Sequence, residues 1–118
     1  MKTEEVLDKG FVAHSNVKAR LKRIIAGEEE AAPESVRADN KCIVGEWIYG
    51  PGSEFSDTEE YKKLKSIHAD FHEEAYQALM LHKKGDTSAA QDYVETGPFE
   101  DKSREIKTAL FAMKKAAQ

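Results

Sequence analysis

Two histidines four residues apart, His68 and His72 in the run HADFH, project from one face of any helix that carries them, because positions i and i+4 lie one above the other. At that spacing both rings can reach a single metal ion. Alone, the pair reads more simply as two histidines on a half-exposed helix, so further donors must separate the two readings. The chain offers two. One is its only cysteine, Cys42, and the other is His14, three residues after Phe11 and three before Val17 on what reads as an apolar helix face. One thiolate and three imidazoles make a nitrogen and sulfur set that tetrahedral zinc accepts, at about 2.0–2.1 Å for nitrogen and 2.3 Å for sulfur. The metal-free alternative is an inert buried thiol and three core histidines, each satisfied by a hydrogen bond.

These residues need helices to hold them. From Glu4 to Ala26, Leu7, Phe11, Val17, Leu21, Ile24 and Ile25 recur at helical spacing, and Gly27 suits a left-handed C-terminal cap. Pro33 opens a short second helix, and the stretch around Cys42 runs to Tyr49 and ends at GPGS, residues 50–53. Asp57 with Glu60 reads as a capping box for a third helix whose stripe, Tyr61, Leu64, His68, Phe71, Ala75 and Leu79, continues to Lys84. Gly85 and Asp86 stop it and start another, carrying Ala89, Ala90, Tyr93 and Val94. Gly97-Pro98 interrupts that helix before Ile106, Leu110 and Met113 resume the stripe. Short connections and no alternating pattern predict an all-α fold, an antiparallel four-helix-type bundle with a short segment carrying the cysteine. Ile24, Leu110, Phe111 and Met113 could serve either the internal core or a subunit interface.

At 118 residues one domain is expected over residues 1–118. The net charge of −4 argues against non-specific binding to nucleic acid or anionic lipid. The acidic start MKTEEVLDKG and the lack of a long apolar run predict a cytoplasmic chain, in which a single cysteine stays reduced. Catalysis is not expected. A hydrolytic zinc keeps an open position with three protein ligands, whereas this set has four, and no HExxH occurs. Di-iron bundles need Glu-x-x-His pairs or more histidines than the four present. His82, near the end of the third helix, is explained by the helix dipole. The remaining competitor is a helical interaction module without metal.

The order of the groups carries more information than any one of them. A histidine early in the first helix, CxxGxW starting at Cys42, and HxxxH starting at His68, with about twenty-five residues between successive groups, resembles the chemoreceptor zinc-binding (CZB) domain family. The resemblance implies that His14, Cys42, His68 and His72 hold one zinc ion. It makes Gly45 the glycine of the cysteine motif and Trp47 the bulky apolar residue packing at the site. Val17 stands where the family often has an aromatic or large residue, three positions after the first histidine. The family's fold is a four-helix-type bundle that commonly dimerises, found in bacterial cytoplasmic proteins beside chemoreceptors and enzymes that make cyclic di-GMP (diguanylate cyclases). There it acts as a sensor: zinc occupancy, or oxidation of the cysteine by hypochlorous acid in some members, changes the output of an attached domain. No output domain is expected within this length, so the chain is expected to be a stand-alone member or an excised domain.

Overall fold

Helix α1 spans Thr3–Ile25 and ends as the sequence expects. Gly27 has φ +83°, its N–H bonds the Ile24 carbonyl, and the Glu28 N–H bonds that of Arg23. This pairing closes a Schellman motif that satisfies two carbonyls the helix would otherwise leave open. A 3-10 helix, Pro33–Val36, follows. The cysteine segment is a separate helix α2, Ile43–Ile48, with Cys42 itself as N-cap. After a second 3-10 helix, Pro51–Phe55, α3 covers Glu59–Lys83, α4 Thr87–Glu95 and α5 Pro98–Ala116. The computed structural model describes residues 2–118, whose regular elements are all helices, with no strand among them. No described helix is long and apolar enough to cross a membrane.

The chain breaks after α3 at Gly85, φ +90°, with the same paired bonds to the His82 and Leu81 carbonyls. Asp86 then caps α4 by accepting the Ala89 N–H. At the start of α3 the expected cap shifts by one residue. Thr58, not Asp57, accepts the Tyr61 N–H, while its hydroxyl donates to the Phe55 carbonyl. A hydroxyl can do both, which a carboxylate cannot. The interruption at Gly97-Pro98 separates two helices, and Pro98 sits in the first turn of α5, where its missing N–H costs nothing.

Helix α3 packs along α5 and also against α1, α4 and the first 3-10 helix, and α1 packs against α5 and α2. Phe71, Phe99, Leu64, Ile106, Leu110 and Met113 are buried between them, each large apolar side chain contributing on the order of 1.5–3 kcal/mol. Of the four residues that could have faced a partner, Ile24, Leu110 and Met113 lie in this core and only Phe111 is exposed.

One expected core residue is outside. Phe11 is 44% exposed, its ring under the Lys107 ammonium. The buried position on that turn belongs to Gly10. A Cβ there would run into Val44 Cγ2, so α2 seats on α1 through the hydrogen of a glycine. Gly10 costs the helix about 1 kcal/mol relative to alanine, and close packing of the cysteine segment is the return.

Candidate metal centre

Each donor is brought in by a different local device. His14 comes from the middle of α1, and its Nδ1 lies 2.7 Å from the Gly10 carbonyl one turn earlier. A carbonyl only accepts, so Nδ1 carries the proton and Nε2 is left with its lone pair. That Nε2 is buried and has no hydrogen-bond partner among the described residues. His72 is set in the same way from outside its helix, with Nδ1 2.9 Å from the carbonyl of Val36 in the first 3-10 helix. Its Nε2 faces Cys42 Sγ at 3.6 Å. His68, one turn before, places Nε2 3.1 Å from the same sulfur.

Cys42 reaches the group because α2 starts at it. Its sulfur accepts the Gly45 N–H at 3.4 Å, standing in for the usual N-cap oxygen and helping to hold a negative sulfur. The expected glycine motif thus has a definite structural meaning. Gly45 lies inside α2, and a Cβ there would overlap the carbonyl oxygen of Asp39 and come within 2.9 Å of Asn40 Cα. The close approach is to the chain just before the cysteine. Trp47 is buried, donates its indole N–H to the Thr3 hydroxyl at 3.2 Å, and lies beside Phe55 and Tyr61.

One ligand atom from each of His14, Cys42, His68 and His72 lies within 4.8 Å of the other three. Zinc bond lengths make the edges of a tetrahedral site about 3.4 Å between nitrogens and about 3.6 Å from nitrogen to sulfur, so the two sulfur–nitrogen spacings already approach the required size. The three rings meet edge-on, with centroids 4.6 Å apart for His68 and His72 and 5.1 Å for His14 and His68. Phe71 closes the apolar side, 4.9 Å from the His14 ring and 5.5 Å from that of His72.

The electrostatics suit a cation. Burial pushes the His14 imidazole down to about 4, with the neighbouring His72 adding to the effect and the Gly10 carbonyl opposing it. Burial pushes His68 down to about 2, reinforced by His72 and His14, and lowers His72 against the pull of the Val36 carbonyl. The rings are therefore held neutral, as metal ligation requires. Burial raises the Cys42 thiol despite the Gly45 N–H. A divalent cation would reverse that, since a coordinating thiol is deprotonated outright. The unpartnered His14 Nε2, the preset tautomers of His14 and His72 and the three neutral imidazoles all fit zinc.

Two parts of the centre were not visible from side-chain types. The Gly10 and Val36 carbonyls orient the rings, and a backbone acceptor leaves no mark on residue identity. Gly10 itself was a usable signal, a glycine one turn before a histidine on a buried face. Phe71 lies on the apolar stripe of α3, where spacing alone predicts core packing and says nothing of the rings beside it. His82 stays apart from the group, as expected.

The family model described as the chemoreceptor zinc-binding domain matches residues 14–79, a span that opens at His14 and contains all four donors. No curated protein and no solved structure matches the chain.

Proposed function

We propose that this chain, which belongs to the chemoreceptor zinc-binding domain family, is a sensory module that holds one zinc ion through His14, Cys42, His68 and His72 and responds to the state of that site. The observation that carries this reading is the convergence of four donors from α1, the start of α2 and α3 within 4.8 Å. Four protein ligands complete a tetrahedron and leave no open position, which favours a sensor over a hydrolase. The whole chain is read as one domain, an antiparallel four-helix-type bundle. Ion pairs Lys114–Asp8 and Lys18–Glu100 support opposite directions for α1 and α5. Gly45 and Trp47 are read as packing residues that seat the cysteine segment. A homodimer working in the bacterial cytoplasm, with a chemoreceptor or a diguanylate cyclase as its output, is the setting the family suggests.

Cys42 is the donor suited to switching. It is only partly buried, whereas the three histidines are buried. Its thiolate reacts with hypochlorous acid to give sulfenic acid and chloride: sulfur loses two electrons, chlorine gains them, and the oxygen and its hydrogen stay on sulfur. The anionic donor is then gone, and the hold on the α2 segment weakens. Titrating the zinc-loaded protein with hypochlorous acid in the presence of a chromogenic chelator tests this. Zinc should appear in step with thiol loss, near one per chain, and a thiol reductant should restore binding. Zinc retained after the thiol has been consumed would reject the redox arm.

A further inference from the structure

We infer that Arg37 is a positioning residue for the centre, acting through the Val36 carbonyl on His72; the inference rests on the metal reading above only for its zinc readout. The Val36 carbonyl belongs to the peptide that joins Val36 to Arg37, so whatever fixes Arg37 fixes the acceptor 2.9 Å from His72 Nδ1. Arg37 is held in three ways. Its Nε donates to Glu73 Oε1 at 3.0 Å, its guanidinium lies 4.3 Å from the centre of the Tyr76 ring, and Nη1 is 3.6 Å from Glu34 Oε1. Glu73 and Tyr76 are on α3, one and four residues after His72. The latch therefore ties the 3-10 helix to the same turn of α3 that carries the ligand.

This arrangement gives Glu73 a task, although an acid following a helical histidine reads from sequence as part of a solvated face. Glu73 is itself braced by Gln77, whose amide donates to Oε2 at 2.8 Å. A half-exposed ion pair adds little to stability. Its effect here is orientation: a ring whose Nδ1–H is held by a fixed acceptor presents Nε2 in one direction, and loss of such an outer partner typically costs 10–100-fold in metal affinity.

The test compares the full chain with Arg37→Ala and Tyr76→Phe, measuring zinc affinity by chelator competition and the His72 Nδ1–H proton by nitrogen-15 NMR, with and without zinc. In Arg37→Ala the Nδ1–H signal should exchange faster in both states, and zinc affinity should fall about tenfold. Tyr76→Phe keeps the ring under the guanidinium and should match the parent. High salt should weaken zinc binding in the parent more than in Arg37→Ala, because only the parent has the ion pair to screen. A slow, unshifted Nδ1–H signal in Arg37→Ala would overturn the assignment, whatever the zinc affinity. If the parent binds no zinc, the metal reading fails, and the proton signal still decides whether Arg37 sets the ring.

Discussion

Cys42→Ala is expected to lower zinc affinity by a factor on the order of 10²–10³. Four-ligand structural zinc binds with about 10–16 kcal/mol, so one donor accounts for roughly 2.5–4 kcal/mol. The cysteine should sit at the upper end, because it alone brings a negative charge to the centre. The substitution also removes the acceptor of the Gly45 N–H at the start of α2, a capping loss smaller than the ~1 kcal/mol of an oxygen cap because sulfur is a weak acceptor. It should leave the long helices intact, since Cys42 lies on the edge of the core. Competition against a chelator of known affinity measures the effect. An affinity within threefold of the parent would mean the sulfur is not a ligand.

Gly45→Ala is expected to destabilise the folded protein by about 2 kcal/mol net, an overpacking cost of about 3 kcal/mol, the upper end for a filled site, offset in part by helix propensity. Helix propensity alone favours alanine over glycine by about 1 kcal/mol inside a helix, so the two effects have opposite signs and the measurement separates them. Packing should win. The atoms in the way are the Asp39 carbonyl oxygen, its carbon at 2.8 Å and Asn40 Cα at 2.9 Å, all of them backbone that cannot rotate aside. Relief requires α2 to move away from residues 39–40, which carries Cys42 off His68 and His72, so zinc affinity should fall together with stability. Urea unfolding with and without zinc checks both. An alanine variant more stable than the parent would contradict the close approach assigned to Gly45.

The parts of this molecule that were legible in the sequence share a cause. His14, Cys42, His68 and His72 are side chains whose chemistry is rare and whose order is informative, and Gly27 and Gly85 mark helix ends where only glycine adopts the required φ at little cost. Parts decided by the backbone were harder to see. Thr58 rather than Asp57 caps α3 because the helix begins at Glu59, which makes Thr58 the flanking residue whose oxygen reaches the Tyr61 N–H, a register set by the fold of the preceding turn. Phe11 belonged to the apolar spacing but lost the buried position to Gly10, because α2 packs on α1 too closely for a side chain. The Val36 acceptor and its Arg37 latch join residues far apart in the chain, and no local pattern announces them.

X-ray absorption at the zinc edge, on protein purified without added metal or a metal-affinity step, tests the central claim most directly. One zinc per chain should be found, with three nitrogen neighbours at about 2.0–2.1 Å and one sulfur at about 2.3 Å. Protein without zinc, or zinc surrounded by nitrogen and oxygen with no sulfur, would contradict the ligand set drawn from His14, Cys42, His68 and His72.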